Sequence, residues 1–484
     1  MNLNWTSFPP TDEDAERLKM YATFRNLMRG RHIQAFDALN ELPPQKRREL
    51  YVAVNFAGVV SKACADLLFG EAPRFTITSA QKQLNEIVTD NNLETICHTM
   101  ALSSSYRGDC VFKVRFGKFH DWDDTNHPII EAVPSSFFFP VTNDDNVMGM
   151  SAAIIAWRRK VGSDLYLRRE IHEPGIIRQE LWRMVSETTL GDQVKLSTLP
   201  EYANLMEVQE TGYPGLLVEY VPNWRLDDEF WGISDYEGLL PLQEELNNRK
   251  TEISKILDKH ASPHIILPPG IMHEDDRFPG RYYVTKEDLE AIEVDPEQAG
   301  DLPKYLVWDA KLEAAYTEVE KLLQDMMMIT ETAPCAIGLT SEDSGGQAES
   351  GKALRFRLMR TLGKVNRKQR FFDQALRNVL YAAQVLDATH GGGPAPQEVS
   401  IEWRDGLPDD PSETAEVLNS RKNMGTMSLR RALTIDGLRG EALEDEIAEI
   451  IADEDRAATL APEPTAKVVT AENGDEEEID DAKQ

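Results

Sequence analysis

The sequence predicts an α+β fold: an antiparallel α/β domain, then long helices around a small insert, then a helical end. Three observations carry this. Apolar residues recur at helical period over two long stretches, 311–332 and 351–388, joined by a glycine-rich polar segment. Short alternating runs between turn clusters fill about 110–221. After Gly391-Gly392-Gly393-Pro394, read as a flexible break, one strand-like run is followed only by helical patterns and an acidic end.

In chain order, residues 1 to about 72 read as helical, closed by Gly70 and Pro73. Phe75-Thr76-Ile77-Thr78 alternates as a strand, and Gln81 to Ser105 reads as one helix. The strand candidates are Cys110–Phe116, Phe137–Val141, Met150–Trp157, Leu165–Ile171, Ile177–Met184 and Leu216–Val221, an antiparallel pattern. Ser234 and Glu237 have the S-x-x-E spacing of a capping box. In the helix it would open, Pro241 lies too deep for a first turn, so a kink or restart is expected. This helix and the one from Lys311 bracket an insert with two strands, His264–Leu267 and Tyr305–Trp308, around Pro268-Pro269-Gly270.

The helix from Lys311 carries Leu312, Ala315, Tyr316, Val319, Leu322, Leu323, Met326 and Met327 on one stripe, and Pro334 is expected to stop it. Cys335 to Ser350 reads as a mobile loop, with Gly338, Gly345 and Gly346. Ser350 is placed to cap the long helix, whose apolar face is Leu354, Leu358, Leu362, Val365, Phe372, Leu376 and Val379. Val399–Trp403 reads as a strand rejoining the first domain. Ser412, Ser428 and Glu444 begin three helical segments. The tail 457–484 is acidic and is expected to be disordered.

The chain has 484 residues, enough for two or three domains. Its 52 basic and 83 acidic residues give a formal charge of −31, so any nucleic-acid surface must be local. Four scattered cysteines with no C-x-x-C pair suit free thiols in a reducing compartment. No signal peptide and no membrane-spanning run is visible.

One local exception to the acidity stands out. Lys352, Arg355, Arg357, Arg360, Lys364, Arg367, Lys368 and Arg370 occur with no acid among them, and Arg357, Arg360, Lys364 and Arg367 form a stripe beside the apolar one. It reads as a solvated face, a face pairing with acids of a neighbouring subunit, or a nucleic-acid surface. Gly346 to Ala353 nearly matches the P-loop G-x-x-x-x-G-K-[ST]. The physics opposes that match: no strand precedes it, Ala353 has no hydroxyl for magnesium, and Glu349 brings negative charge. His172-Glu173, and His260 with His264, lack the zinc-ligand spacing H-E-x-x-H. Asp405, Asp409 and Asp410 have oxygens for a hard cation, but a helix-capping turn explains them better. Met326-Met327-Met328 reads as helix core. Neither catalysis nor a cofactor is called for.

Taken together, the helix, Pro334, the glycine-rich loop and Ser350-Gly351-Lys352-Ala353-Leu354 opening a basic helix resemble the portal proteins of tailed double-stranded-DNA bacteriophages. Asn55-Phe56-Ala57-Gly58 leading to Ala65-Asp66-Leu67-Leu68-Phe69-Gly70-Glu71-Ala72-Pro73, and Pro241-Leu242-Gln243-Glu244-Glu245-Leu246-Asn247, fit the same pattern over about residues 45 to 450.

The resemblance implies a homo-oligomeric ring, usually of twelve subunits, at a capsid vertex of the virion, assembled in the host cytoplasm. Double-stranded DNA is packaged and ejected through it, with major capsid and scaffold proteins around it. The terminase large subunit docks on it first and head-completion or adaptor proteins later. It implies a wing at 1–233 and 351–411, and a stem at 234–261 and 311–334. A clip at 262–310 would dock the motor through Pro268, Pro269, Gly270, Tyr305 and Trp308. A tunnel loop at 335–350 would face DNA through Thr340, Ser341, Glu342, Asp343, Ser344, Gly345, Gly346, Gln347 and Glu349. A helical crown would span 412–456. The expectation is no enzyme, no cofactor and no membrane. Two other readings compete: a nucleotide-binding, nucleic-acid-processing enzyme using the near P-loop, and a cytoplasmic helical assembly scaffold.

Overall fold

The computed structural model describes residues 4–40, 51–120, 122–143, 145–261, 264–266, 272–275, 277–285, 304–306, 312–339, 351–404, 411–435, 438 and 441–460. The chain divides into two compact units, Met1–Leu407 and Pro408–Gln484.

The first unit opens with helices α1 (Asp12–Met28), α2 (His32–Leu39) and α3 (Phe56–Phe69). The hydroxyl of Thr11 caps α1 by accepting from the Asp14 amide at 3.1 Å. After strand β1 (Arg74–Thr76), the single helix expected over 81–105 is two, α4 (Gln81–Asp90) and α5 (Leu93–Arg107). Asn92 breaks it by taking a left-handed φ of 48°, a conformation asparagine tolerates. The neighbouring Asn91 donates to the carbonyls of Ile87 and Pro128 and accepts from the Ile130 amide, tying the break to a strand.

Strands β2 (Asp109–Gly117) and β3 (His127–Val133) pair with the later β10 (Val218–Pro222) in the order β10-β2-β3. Strand β3 was not legible because Pro128 interrupts it. Proline is tolerated there because β3 is an edge. A second antiparallel sheet runs β4 (Phe138–Asn143), β5 (Asn146–Val161), β6 (Asp164–Glu173), β7 (Ile176–Met184) and β8 (Leu190–Val194), with β9 (Val208–Glu210) also on β7.

Helix α6 (Leu240–Ala261) starts later than the Ser234 cap predicts. Ser234 accepts from the amide of Tyr236 and donates to the carbonyl of Tyr106, so it closes a turn and caps no helix. Pro241 therefore falls in the first turn, where its missing N–H costs nothing; of the two alternatives expected there, the helix starts at Leu240 after a run of turns, and a kink has no cause. Gln243, Asn247 and Thr251 recur at four-residue steps on the buried side of α6 and bond the backbone of Val52 and Val54 and the first turn of α3 at Ala57. Within the insert, β11 (His264–Ile266) pairs antiparallel with β14 (Lys304–Leu306), Ile265 opposite Tyr305. A second small hairpin joins β12 (His273–Glu274) and β13 (Tyr282–Tyr283).

Helix α7 (Leu312–Ile329) packs Val319 and Met326 into a core with Leu246 and Ile253 of α6, Tyr236, and Phe24 and Leu27 of α1. Met326 is buried, whereas Met328 is 71% exposed, so the methionine run is only partly core. The helix ends before Pro334, because Glu331 takes φ +52° and Thr332 donates back to the Met327 carbonyl. Helix α8 (Gly351–Leu386) buries Leu358, Val365, Phe372, Leu376 and Val379, and its C-terminal half lies on β2 and β10. A π-helical turn, Asp387–Gly391, follows. Where a flexible break was expected, Gly391 and Gly393 pack against Asp387 while Gly392 faces open space: the Gly393 amide donates to the Asp387 carbonyl, and a Cβ on Gly391 or Gly393 would collide with the Asp387 carboxylate. Strand β15 (Ser400–Glu402) returns to pair with β1, Phe75 opposite Ile401.

The second unit is helical where described: α9 (Pro411–Asn423), α10 (Leu429–Ile435) and α11 (Glu441–Leu460). The Ser428 hydroxyl accepts from the Arg431 amide at the start of α10, and Arg430 grips Glu444. The expected disordered tail falls on residues 461–484 almost entirely and lies outside the described residues.

Candidate functional site

The basic helix α8 is not one solvated face. Lys364 and Lys368 are one turn apart and point the same way, into the protein. Both reach Asp235, at 3.1 and 2.7 Å, and all three side chains are buried. Asp235 also accepts from Ser105 at 2.7 Å and from Asn223 at 3.0 Å. Burial alone would push the Asp235 carboxyl up. The two ammonium groups more than reverse this and hold it well below the usual carboxylate range. Burial likewise pulls Lys368 down, and Asp235 overrides it, leaving the lysine above its ordinary value.

The same helix grips the turn after α7. Lys364 donates to the Thr330 carbonyl at 2.9 Å. The Thr361 hydroxyl donates to the Glu331 carbonyl at 3.0 Å and accepts from the Ala333 amide at 2.8 Å. The Glu331 carboxylate takes Arg367 at 2.6 Å and Arg360 at 3.3 Å. One face of α8 therefore fastens both the approach to α6, through Asp235, and the exit from α7, through residues 330–333.

Of the predicted stripe, Arg357, Arg360 and Arg367 are exposed, whereas Lys364 is buried. The acids that pair Arg360, Lys364 and Arg367 belong to the same chain. The Lys352 side chain lies outside the described residues, as do Thr340, Ser341, Glu342, Asp343, Ser344, Gly345, Gly346, Gln347 and Glu349 of the predicted loop. Pro268, Pro269, Gly270, Trp308, Asp405, Asp409 and Asp410 are also outside; Tyr305 is placed by its backbone on β14. The near P-loop is preceded by α7 and a 3₁₀ turn at Pro334–Ile337, with no strand among the described residues 312–339. That is the wrong context for a phosphate cradle.

Beside the Asp235 cluster is an open cleft of about 970 Å³, with Trp224, Ile233, Ile329 and Phe371 among its walls. Sequence reasoning missed Asp235, Glu331 and Thr361, and counted Lys368 in the basic run without seeing that it is buried. One signal was available: Thr361 and Lys368 fall on the apolar stripe with Leu358, Val365 and Phe372, where a polar residue must find a buried partner. Elsewhere, His172 is buried against Glu170 at 2.8 Å, as a structural histidine. Cys64, Cys97, Cys110 and Cys335 are free thiols. Among the described residues no group of three or more His, Cys, Asp or Glu could hold a metal, and no helix is long and apolar enough to cross a membrane.

The described residues thus form a mixed helix-and-sheet structure, with paired helices around a β insert and a long basic helix that fastens to both. The family model described as phage portal protein, SPP1 Gp6-like, matches residues 10–459, and the chain belongs to that family. Two solved chains to which this one is similar are the following. One, from the virion of the native gene transfer agent particle, is 12% identical with a TM-score of 0.38 and covers 79% of this chain and 89% of its own. The other, from the neck of the native gene transfer agent particle computed with C12 symmetry, is 13% identical with a TM-score of 0.39 and covers 79% and 91%. No curated protein matches the chain.

Proposed function

We propose that this portal protein forms a closed ring, of twelve copies, at one vertex of the capsid, and that double-stranded DNA enters and leaves through its axis. The observation that carries this reading is family membership across residues 10–459. In it, 1–233 and 351–411 form the wing, 234–261 and 311–334 the stem, 262–310 the clip and 412–456 the crown. The loop 335–350 lines the tunnel. The terminase large subunit docks on the clip and supplies ATP hydrolysis; the portal itself is no enzyme. Head-completion proteins replace the motor, and capsid and scaffold proteins surround the wing.

The charge arrangement supports a conduit. Duplex DNA carries about one charge per 1.7 Å of axis, and cations that neutralise its phosphates bind it by releasing counterions. A sliding channel should avoid that gain. Here the chain is acidic overall, and Arg360, Lys364, Arg367 and Lys368 are matched to acids of their own chain. Mass measurement and negative-stain images of the purified protein test the ring. A ring with an axial hole is expected. Protein that stays monomeric across a wide range of concentration and salt, and forms no rings in proheads, would sink the proposal.

A further inference from the structure

The cleft beside Asp235 carries more positive charge than its own acids answer, and much of its remaining wall is apolar. We propose that it is a binding site for an acidic peptide segment of a partner protein. A carboxylate of that segment is held by Lys364, Lys368 and the arginines around them, and a neighbouring apolar side chain lies against Trp224 and Ile329. The site lies within the first unit of one chain, so the inference goes beyond the ring reading and does not depend on it.

Five cations line the cleft: Arg225, Lys364, Arg367, Lys368 and Arg370. Three acids line it, and two of them are already engaged. Asp235 answers two lysines at once: its Oδ2 takes Lys364, Lys368 and Ser105, and its Oδ1 takes Asn223. Glu331 answers Arg360 as well as Arg367. The third acid, Glu237, is exposed. Against it stand Arg225 and Arg370, neither of which has an ion-pair partner among the described residues. The exposed acids Asp227, Asp228 and Glu229 follow Arg225 in the chain but are not among the cleft's walls.

The recessed lysines carry the inference furthest. With Asp235 they make two positive charges against one negative, on side chains that are all buried, and an uncompensated buried charge is costly. An ammonium has three donors. Lys364 spends two, on Asp235 and on the Thr330 carbonyl at 2.9 Å, which leaves one for a ligand. Arg225 adds a buried Nε with no hydrogen-bond partner among the described residues.

The walls select the form of the anion. A volume of about 970 Å³ is at the upper end for ligand sites, roughly 300–1,000 Å³. Trp224 and Ile329 remain 41% and 48% exposed, so apolar surface stands beside the cations. Duplex DNA is stiff over far more than the length of such a cleft, and it cannot carry a phosphate in to lysine side chains only 8% and 4% exposed. A carboxylate on a flexible side chain can reach them. The apolar residue beside it then covers wall that a bare phosphate would leave wet.

Fluorescence anisotropy tests this, with the full-length protein and a short labelled peptide that alternates glutamate with leucine. Binding that weakens with added salt is expected. The same peptide with glutamine for glutamate should bind at least about tenfold more weakly. Lys368→Met should also weaken binding about tenfold or more. Arg370→Gln changes an exposed side chain, so it should weaken binding severalfold with parental melting, and it keeps the test valid if Lys368→Met unfolds. Equal affinity for the glutamine peptide, or parental affinity in both variants, would overturn the site. Displacement of the probe by pyrophosphate or duplex DNA at lower concentration than by unlabelled peptide would assign the cleft to phosphate and overturn the peptide. Probe binding that tightens about tenfold when Ala471 to Gln484 are deleted would make the chain's own acidic tail the occupant. Probe that binds dissociated subunits and is excluded from assembled protein would make it a neighbouring copy; either result overturns the partner segment. Protein that binds the probe as expected but forms no ring would leave this site standing and overturn the ring alone.

Discussion

At the scale of single residues, two buried acids titrate with opposite consequences. Asp235 answers two lysines, and without it both ammonium groups remain buried and uncompensated. Asp235→Asn should lower stability by about 3–5 kcal/mol in denaturant unfolding at neutral pH. Lys368→Met should cost less, because Lys364 still pairs with Asp235. The folded Asp235 carboxyl lies below its unfolded value, near 4, so its stabilisation is full above about pH 4 and is lost as pH falls below that. Glu219 is the reverse case. It lies between β10 and α8 with one hydrogen bond, from Asn378 at 3.0 Å. Burial pushes it up to about 7, and that bond pulls it back only in part. Between roughly pH 4.3 and 7 the folded state holds a proton that the unfolded state has released, so stability falls as pH rises through that window. Glu219→Gln keeps an acceptor for Asn378. It should flatten the slope and stabilise the protein at pH 8 by on the order of 3 kcal/mol. A variant with the parental pH slope would show that Glu219 is not the group responsible.

At the scale of elements, α8 works as a clasp on the turn that ends α7. Thr361→Val keeps shape but removes one donor and one acceptor. It leaves the Ala333 amide unpaired, at a cost of about 1–3 kcal/mol. Amide exchange should accelerate at Ala333 and its neighbours while the C-terminal half of α8 stays protected; unchanged exchange at Ala333 would mean that water already serves that amide. The clasp also explains what the sequence could reveal. The long helix, the helix pair, the hairpin insert and most strands are written in hydrophobic period, a local property. Helix ends are not. Ser234 is drawn away from a cap by the Tyr106 carbonyl, Glu331 ends α7 three residues before Pro334, and Asn91 reaches across to β3. The buried cations were hidden for the same reason. A lysine reads as exposed unless its partner is visible, and Asp235 is more than a hundred residues upstream, with no spacing to betray it. The polar ladder of Gln243, Asn247 and Thr251 shows a four-residue period, yet its partners are backbone groups of 52–57, which no side-chain pattern announces.

At the scale of the whole molecule, a formal charge of −31 is multiplied by assembly, and the proposed function turns on where DNA meets it. The loop between α7 and α8 leaves the clasp at residues 330–333 and carries Glu342, Asp343 and Glu349 among small polar residues. If twelve such loops encircle DNA, changing Glu342 and Asp343 to lysine adds roughly two dozen cations in one ring. Within a Debye length, about 8 Å at physiological ionic strength, these attract phosphates strongly. Packaging should slow or stall, added salt should partly relieve it, and ring assembly should be intact. Glutamine at both positions removes acid without adding base and should do less harm, which separates attraction from loss of repulsion. Packaging rates with purified terminase and proheads at two salt concentrations measure this. A lysine variant that packages at the parental rate at both concentrations would place the loop away from the DNA. In that case the clasp of α8 on Glu331 would serve to hold the stem against the body and would have no part in presenting a loop to the channel.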